Sequence, residues 1–276
     1  MKQKVAIQGI KGSFHYQVAN EYFGKGVEIV EYTSFDAVAR AVTTNDTYLG
    51  IMALENSIAG SILPNYALID QLNLHIIGEH YIDIQQHLMA LPYQQLADIS
   101  EVHSHPMALL QCKQFFLQHP HIRLVEDTDT ASAAKRIAHQ QLKGVAAIAS
   151  ESASKLYNLT IIAPNIQTMK VNSTRFVIVQ PQEKAIVQES ANKATIKFQV
   201  HHKRGSLAAV LNVISDCKIN MTKIQSLPVI DTPWKYAFFV DIVFDSPNDF
   251  EKAHKLLSIM AEDFKVLGVY KNSLLQ

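Results

Sequence analysis

Residues 49–57 read Leu-Gly-Ile-Met-Ala-Leu-Glu-Asn-Ser, an almost entirely apolar run that ends on a carboxylate, an amide and a hydroxyl. Strands that are apolar on both faces are typical of a parallel sheet covered by crossover helices, whereas half-buried strands alternate apolar and polar residues. Short apolar runs of this kind alternate with helix-period stretches through the first 180 residues. The sequence therefore predicts an α/β fold for this region.

The last third of the chain has a different order of elements. Residues 181–192 are polar and lose the periodicity, and we interpret residues 181–193 as a linker. Residues 194–276 follow the predicted order strand, helix, strand, strand, helix, strand. This βαββαβ order makes a ferredoxin-like unit, in which two helices cover one face of an antiparallel sheet.

The composition of the 276-residue chain excludes several classes of protein. Hydrophobic residues make up 48% and charged residues 18%, which excludes a disordered chain. Lys plus Arg and Asp plus Glu each number 25, and this balance argues against nucleic-acid binding. We find no membrane-spanning run and no signal-peptide core, and two cysteines make a disulfide framework improbable. We therefore expect a cytoplasmic protein that binds neither nucleic acid nor membranes.

The glycine-rich stretch Gly-Ile-Lys-Gly-Ser-Phe at residues 9–14 lies between a predicted strand and a predicted helix. The free N–H groups of a helix N-terminus and the hydroxyl of Ser13 could bind an anion there, although an ordinary strand-to-helix turn has the same composition. The stretch lacks the GK[ST] ending of a P-loop and the third glycine of a dinucleotide fingerprint.

Polar residues follow the apolar strand that ends at Leu54. Glu55, Asn56 and Ser57 lie at the carboxyl end of this strand, where open α/β sheets bind ligands. Capping of the following turn needs only one such residue, so three in succession favour a binding or catalytic site.

Two further stretches contain candidate residues. Residues 104–112 begin with Ser104 and His105 at the start of a helix predicted over about Met107–Gln118, and Gln111 lies within this helix among apolar neighbours. The histidine could be a base or a structural group, and a metal site is not expected because further ligands at zinc-like spacing are missing. Residues 172–176 open the last strand of the α/β region, where Thr174 and Arg175 are either site residues or the start of an exposed edge strand.

Together and in this order, the segments resemble the prephenate dehydratase family. That family has a G-x-x-G-[ST]-F start, an E-N-S segment, an S-H-P…Q-C helix, a D-T-A-x-A-A-like segment and a T-R-F triplet. The corresponding segments here are residues 9–14, 55–57, 104–112, 129–134 and 174–176. The C-terminal unit resembles the ACT regulatory domain of the family.

The resemblance implies two α/β lobes, like those of a periplasmic binding protein, with the active site in the cleft between them. Within a catalytic domain of residues 1–180, the first lobe comprises about 1–80 plus 169–180 and the second 81–168, and the regulatory domain is 194–276. The implied lyase reaction converts prephenate to phenylpyruvate, carbon dioxide and water in phenylalanine synthesis, without a cofactor. Because a chorismate mutase region does not precede residue 1, we expect a monofunctional enzyme; arogenate dehydratase and a non-catalytic amino-acid sensor are the alternatives.

The resemblance also implies roles for individual residues. Thr174 is expected to assist the departing hydroxyl by a hydrogen bond. The other catalytic positions are Glu55, Asn56 and Gln111. The substrate-binding positions are Ser13, Ser57, Ser104, Thr130 and Arg175, with Arg175 either pairing with a substrate carboxylate or bracing its strand.

In the family, phenylalanine binds between paired ACT domains as a feedback effector, which implies a homodimer or homotetramer. The matching positions here are Gly205, Ser206, Leu207, Gln225, Ser226, Leu227 and Pro228. The family's G-A-L has become Gly-Ser-Leu, and its E-S-R-P has become Gln-Ser-Leu-Pro. Because the second change removes both charged residues, the sequence leaves open whether phenylalanine still binds.

Overall fold

The computed structural model describes residues 4–44, 49–182, 190–230 and 232–275, and two β-sheets organise this part of the chain. The first lobe consists of β1 (Lys4–Gln8), α1 (Phe14–Phe23), β2 (Glu28–Tyr32), α2 (Phe35–Thr43), β3 (Leu49–Asn56), β4 (Gly60–Ser61), α3 (Leu63–Gln71) and β5 (Leu74–Asp83). The second lobe consists of β6 (His87–Ala90), a 3₁₀ helix (Leu96–Asp98), β7 (Glu101–Ser104), α4 (Pro106–Gln111), α5 (Lys113–Leu117), β8 (Arg123–Glu126), α6 (Thr130–Gln140), β9 (Val145–Ala149), α7 (Glu151–Tyr157) and β10 (Thr160–Ala163). The chain then returns to the first lobe as β11 (Ser173–Pro181).

The C-terminal domain follows with the predicted order of elements. It consists of β12 (Lys193–Gln199), α8 (Ser206–Asp216), β13 (Asn220–Pro228), β14 (Tyr236–Val243), α9 (Pro247–Met260), β15 (Glu262–Tyr270) and a 3₁₀ helix (Ser273–Leu275). The prediction of a two-lobed α/β region followed by a ferredoxin-like βαββαβ domain is confirmed.

The large sheet has the strand order β13-β14-β12-β15-β5-β11-β3-β1-β2, with β4 paired to β3. In the first lobe, β1 is parallel to β2 and β3, whereas β11 is antiparallel to both β3 and β5. Residues 49–54 are buried, in agreement with their continuous apolar character. The sheet is nevertheless mixed rather than parallel throughout, because β11 enters it only after the chain has returned from the second lobe.

The small sheet forms the centre of the second lobe, with the order β10-β6-β9-β7-β8. The chain crosses between the lobes twice, after β5 and again before β11. The first crossing comes after Asp83, later than the predicted boundary at residues 80 and 81, because β5 continues to pair with β11 up to that residue. Of the predicted linker at 181–193, residues 183–189 lie outside the described ranges.

The helices differ from the predictions at one place. A single helix was expected from about Met107 through Gln118, but Cys112 has φ −99° and ψ 6°, and this separates α4 from α5. The amide of Cys112 is shared among carbonyls at the end of α4 instead of continuing the regular helix. In the described ranges, no helix is both long enough and apolar enough to cross a bilayer.

The part of the large sheet formed by β12, β13, β14 and β15 has apolar contacts on both of its faces. On one face, Ile196 and Val240 pack with Val210 of α8 and Leu257 of α9 in one buried cluster. The opposite face contributes to a cluster with the first lobe, whose members include Ala237, Phe239, Leu267 and Tyr270 together with Met52, Leu54, Tyr66 and Ile69. The C-terminal domain therefore shares both a sheet and a hydrophobic core with the first lobe.

The two parts of the large sheet are joined where β15 runs parallel to β5, at Gly268 and Ile76. A Cβ atom on Gly268 would lie only 2.3 Å from the carbonyl oxygen of Ile76, which is backbone and cannot move aside independently. Glycine is required here because a side chain would separate the two strands.

We expect Gly268→Ala to lower the free energy of unfolding by about 1–3 kcal/mol, because the added methyl group must displace β5 or β15. Denaturant-induced unfolding followed by circular dichroism measures this change. Lys271→Ala, at a nearby exposed position, is the control and should change the same quantity by less than about 0.5 kcal/mol. Equal unfolding midpoints for Gly268→Ala and the wild type would contradict the tight junction.

Candidate active site

A cavity of about 460 Å³ lies between the two lobes, within the size range of small-molecule sites. Both lobes and the first crossing contribute to its wall. Five predicted site residues line it: Ser13, Asn56, Gln111, Thr130 and Thr174. The apolar part of the wall includes Phe35, Ile62, Ile84, Met107 and Phe176. A larger cavity of about 860 Å³ borders α1 and α7, but its lining includes none of the predicted site residues.

The carboxyl end of β3 and the start of β11 bring Asn56 and Thr174 together as partners in the antiparallel ladder. The Oδ1 atom of Asn56 accepts hydrogen bonds from the backbone N–H groups of Ile58 (3.0 Å) and Ala59 (2.8 Å). These bonds fix the orientation of the amide, so its Nδ2 atom donates to Thr174 Oγ1 at 2.8 Å. Since the threonine oxygen accepts this bond, its own proton can be donated to another group.

A chain of amide side chains continues from Asn56 across the cleft. Asn56 Nδ2 also donates to Asn172 Oδ1 at 2.7 Å, and Asn172 Nδ2 donates to Gln111 Oε1 at 3.1 Å. Gln86 Nε2 donates to the same Gln111 oxygen at 3.3 Å. Sequence reasoning gave no role to Asn172 or Gln86, although Asn172 opens a stretch that it singled out. Asn172 and Gln86 both contact Gln111 because segments distant in sequence meet in the fold. A local sequence pattern does not reveal such contacts.

The glycine-rich turn connects the two lobes as well as starting α1. Gly9 and Gly12 both have φ near +91°, a left-handed conformation that favours glycine. The carbonyl of Gly12 accepts a hydrogen bond from Ser150 Oγ of the second lobe at 2.7 Å, and a Cβ on Gly12 would lie 3.2 Å from the backbone of Ala153. Gly12 thus permits close contact between the lobes.

Two helices begin at the cavity, one from each lobe. Ser13 is the N-cap of α1 and accepts a hydrogen bond from the N–H of Tyr16, and Asp129 caps α6 by accepting from the N–H of Ser132. Thr130 is the first residue of α6 and lines the cavity. Helix N-termini carry partial positive charge and free N–H groups, which favour bound anions. Among the described residues that line the cavity, Lys and Arg are absent.

Two histidines also line the cavity. His15 packs between Phe35 and Phe176, and burial lowers the pKa of its imidazole to about 3. It is therefore neutral near neutral pH. The Nδ1 atom of His105 accepts a hydrogen bond from the N–H of Met107 at 3.2 Å, so this histidine caps α4. His105 therefore has the structural role, helix capping, that the sequence left open beside a role as a base. It also lines the cavity.

Four predicted site residues lie outside the cavity lining. For three of them, Ser104, Ser57 and Glu55, a contact with substrate is not supported. Ser104 is fully buried in β7 and donates its hydroxyl to the carbonyl of Ile148 at 2.7 Å, while the next residue caps the helix. Ser57 accepts the N–H of Ser173 at 2.9 Å and ties the ends of two strands together. Glu55 forms an ion pair of 2.7 Å with Lys223 of the C-terminal domain. The alternation of side chains along β3 turns Glu55 away from the face of Asn56.

Arg175 is also absent from the cavity lining, and the structure gives it the bracing role. It is buried, with 2% of its side chain exposed. Its Nε donates to Glu79 at 2.7 Å, its Nη2 donates to the hydroxyl of Tyr270 at 2.7 Å, and its Nη1 pairs with Asp241. Because all three nitrogens are engaged at the boundary with the C-terminal domain, Arg175 is not available to a substrate carboxylate.

The predicted effector residues fall into two groups. Gly205, Ser206 and Leu207 line a cavity of about 510 Å³ together with Trp234 and Tyr236. The remaining four residues, Gln225, Ser226, Leu227 and Pro228, lie on the edge strand β13 and do not line that cavity. Leu227 packs instead against the core shared with the first lobe. In the described ranges, no cluster of three or more His, Cys, Asp or Glu side chains is arranged to hold a metal ion.

Comparison with known proteins identifies relatives across the chain. The prephenate dehydratase family model matches residues 5–184. A bifunctional chorismate mutase/prephenate dehydratase from Aquifex aeolicus is 33% identical, and the alignment covers 100% of this chain and 75% of that protein. The arogenate dehydratase/prephenate dehydratase 2 of Arabidopsis thaliana chloroplasts is also 33% identical, with 97% and 72% of the two chains covered.

Solved structures have the same fold over nearly the whole length. Prephenate dehydratase from Staphylococcus aureus is 26% identical with a TM-score of 0.84, covering 98% of this chain and 100% of that chain. A structure described as GqqA, a novel type of quorum-quenching acylase, is 26% identical with a TM-score of 0.88, covering 99% and 100%. The Arthrobacter aurescens prephenate dehydratase in complex with L-Phe is 21% identical with a TM-score of 0.89, covering 99% and 91%. With the family model matching the catalytic region and relatives aligned along the whole chain, this protein belongs to the prephenate dehydratase family.

Proposed function

We propose that the cavity between the lobes converts prephenate to phenylpyruvate, carbon dioxide and water. The observation that carries this proposal is the hydrogen bond from Asn56 to Thr174, which leaves the threonine proton free to face a ligand. Family membership supplies the substrate class, and the cavity supplies a hydroxyl donor beside a mostly apolar wall.

The reaction needs little chemical machinery because it forms an aromatic ring. The bond between the ring and its carboxylate breaks, carbon dioxide leaves, and the electron pair enters the ring. The bond from the ring to the hydroxyl then breaks, and the departing oxygen, with one proton taken up, becomes water. A hydrogen bond from Thr174 stabilises the negative charge that develops on this oxygen, and assistance of this kind contributes about 10²–10⁴-fold in rate.

Prephenate is a dianion, so the cavity must hold two carboxylates. The N-termini of α1 and α6 reach the cavity from opposite lobes and are suited to this task through Ser13 and Thr130. The amide chain of Asn56, Asn172 and Gln111 connects the two lobes and can hold the ring hydroxyl against Thr174. The partial positive charge and free N–H groups of these helix N-termini compensate the carboxylates without long cationic side chains.

Arogenate, which carries an ammonium group in place of the keto group, is the alternative substrate. An ammonium group would need a carboxylate as its partner, and Asp129 is the carboxylate among the described residues that line the cavity. Both of its carboxylate oxygens accept hydrogen bonds from Ser132, from the backbone N–H and from the hydroxyl. Parallel assays with prephenate and arogenate decide between the two substrates.

Acyl transfer, suggested by the acylase structure, lacks a comparable observation. A serine nucleophile needs a base within hydrogen-bond reach. Ser13 and His15 both line the cavity, but the hydroxyl of Ser13 caps α1, and no hydrogen bond joins these two described side chains. The dehydratase therefore remains the function that the site favours.

Phenylalanine is the effector that we propose for the C-terminal domain, since the Arthrobacter aurescens relative was solved in complex with it. The cavity beside Gly205, Ser206 and Leu207 is large enough for an amino acid. Gln225, Ser226, Leu227 and Pro228 lie on the edge strand β13, where a second copy of the chain could bring them to such a cavity. A homodimer or homotetramer is therefore part of the proposal, and light scattering measures it.

The first prediction concerns the threonine. We expect Thr174→Ala to lower kcat for prephenate by at least about a hundredfold with the fold intact, because the hydrogen bond to the leaving oxygen is lost. The matched control is Thr174→Ser, which keeps the hydroxyl and should retain activity within about tenfold. Phenylpyruvate formation measures both variants. Comparable kcat values for Thr174→Ala and the wild type would refute the assignment.

The second prediction concerns the hydrogen bond that orients the threonine. Asn56→Asp preserves the shape of the side chain but replaces its donor by an acceptor, so the threonine proton is drawn to the new carboxylate instead of the substrate. We expect kcat to fall at least about tenfold, and circular dichroism checks that the variant is folded. Full activity in this variant would show that the direction of the bond is unimportant.

The third prediction concerns the effector cavity. Phenylalanine should lower the turnover of prephenate, and Trp234→Ala should weaken this inhibition by about tenfold in effector concentration, because an aromatic wall of the cavity is removed. Trp234 is 81% exposed, so its replacement does not disturb the core. Tyr93→Ala, which removes an exposed aromatic residue of the second lobe, should leave inhibition unchanged. Wild-type turnover that is insensitive to phenylalanine would reject the proposed effector.

A further inference from the structure

The strand pair that carries Asn56 and Thr174 has a second polar pair directly beside it. In the ladder between β3 and β11, Thr174 is opposite Asn56 and Arg175 is opposite Glu55. Successive side chains of a strand point to opposite faces of the sheet. The first pair lines the cavity, and the second pair contacts the C-terminal domain.

The C-terminal domain meets this second pair with a charge-matched pair of its own. Asp241 on β14 pairs with Arg175, and Lys223 on β13 forms an ion pair of 2.7 Å with Glu55. Lys223 and Asp241 are themselves opposite each other in the ladder between β13 and β14. Four charged residues from four strands thus form two ion pairs across the domain boundary.

Of these two ion pairs, the one between Arg175 and Asp241 is the more deeply buried. Both side chains are 2% exposed, and Asp241 Oδ1 also accepts a hydrogen bond from Thr195 at 2.6 Å. Burial alone would raise the pKa of Asp241, but Arg175, together with Lys193 and Thr195, lowers the pKa below the ordinary value of an aspartate. A change at Asp241 removes one of the two carboxylates that hold the buried guanidinium of Arg175, and leaves Glu79 and Tyr270 as its remaining partners.

Around Arg175, the ladder of β11 is regular against β5 but irregular against β3. The register of β11 against β3 shifts between Arg175 and Phe176, as in a β-bulge. Bulges interrupt the regular ladder and re-aim the neighbouring side chains. The anchoring of Arg175 therefore contributes to how the strand presents Thr174, which is the preceding residue.

We propose that Asp241, a residue of the C-terminal domain, is a positioning residue for the reaction in the cavity, acting through Arg175 on Thr174. The inference rests on the proposed dehydratase function and extends it, because it makes catalysis depend on a residue outside the catalytic lobes. Tyr236 and Phe238, which line the proposed effector cavity, are on the same strand as Asp241. Movement of β14 would thus reach Thr174 through one side-chain contact.

The test compares kcat and KM for prephenate in the wild type and in Asp241→Asn. Because small misplacements of a reacting group are costly, we expect kcat to fall by about tenfold to a hundredfold. KM should stay within about threefold, because the residue does not touch the substrate. The control is Asp70→Asn, which breaks the ion pairs of Asp70 with Lys197 (2.7 Å) and Lys265 (3.1 Å) at the same domain boundary without contacting β11. Its kcat should change by less than about twofold.

A double-mutant cycle distinguishes positioning from general loss of structure. In a Thr174→Ala background, Asp241→Asn should change kcat by less than about twofold, because the hydroxyl that it positions is already missing. Multiplication of the two single effects would overturn the proposal, as would a wild-type kcat in Asp241→Asn. If circular dichroism shows that Asp241→Asn does not fold, Thr195→Val removes the hydrogen bonds of Thr195 to Asp241 and to Tyr270, which both contact Arg175. Thr195→Val should lower kcat at least about threefold, and an unchanged kcat would equally overturn the proposal.

The wild-type assay separates this inference from the function on which it rests. Absence of turnover in the wild type with prephenate would reject the proposed function and the inference together. Turnover in the wild type with unaltered kcat in the folded Asp241→Asn or Thr195→Val variant would reject the inference alone.

Discussion

The hydrogen bond from Asn56 Nδ2 to Thr174 Oγ1 is the contact on which the rest of the site depends. Its direction is set by two backbone N–H groups that occupy the oxygen of the same amide. A threonine that accepted no such bond could turn its proton toward any neighbouring oxygen. Here the donor role of the hydroxyl is fixed before a substrate arrives, and preorganisation of this kind is an effective way to stabilise developing charge.

The dipeptide of Thr174 and Arg175 connects the cavity to the C-terminal domain. Because side chains alternate along β11, Thr174 faces the cavity and Arg175 faces an ionic cluster with Glu79 and Asp241. The large sheet is continuous across the domain boundary, and the domains share an apolar core. The C-terminal domain is therefore part of the support of the catalytic lobe, in addition to the effector role that we propose for it.

Much of the fold follows from local sequence patterns. The apolar run that predicts β3 and the βαββαβ order predicted for residues 194–276 both agree with the structure. Site residues were harder to predict, since a motif does not say which face of a strand each residue occupies. Glu55 and Arg175 belong to motifs but contact another domain, and Asn172 acquires its role from segments distant in sequence. Such contacts depend on tertiary packing and β-bulges, which local periodicity does not encode.

A crystal structure of the Thr174→Val variant with prephenate bound tests the central claim most directly, because this variant keeps the shape of residue 174 and slows turnover. The account predicts that the ring hydroxyl of prephenate lies against the side chain at position 174, with Asn56 directly behind that side chain. A hydroxyl directed to the opposite wall of the cavity, more than about 5 Å from residue 174 and beyond the roughly 2.6–3.2 Å that proton donation requires, would contradict the account.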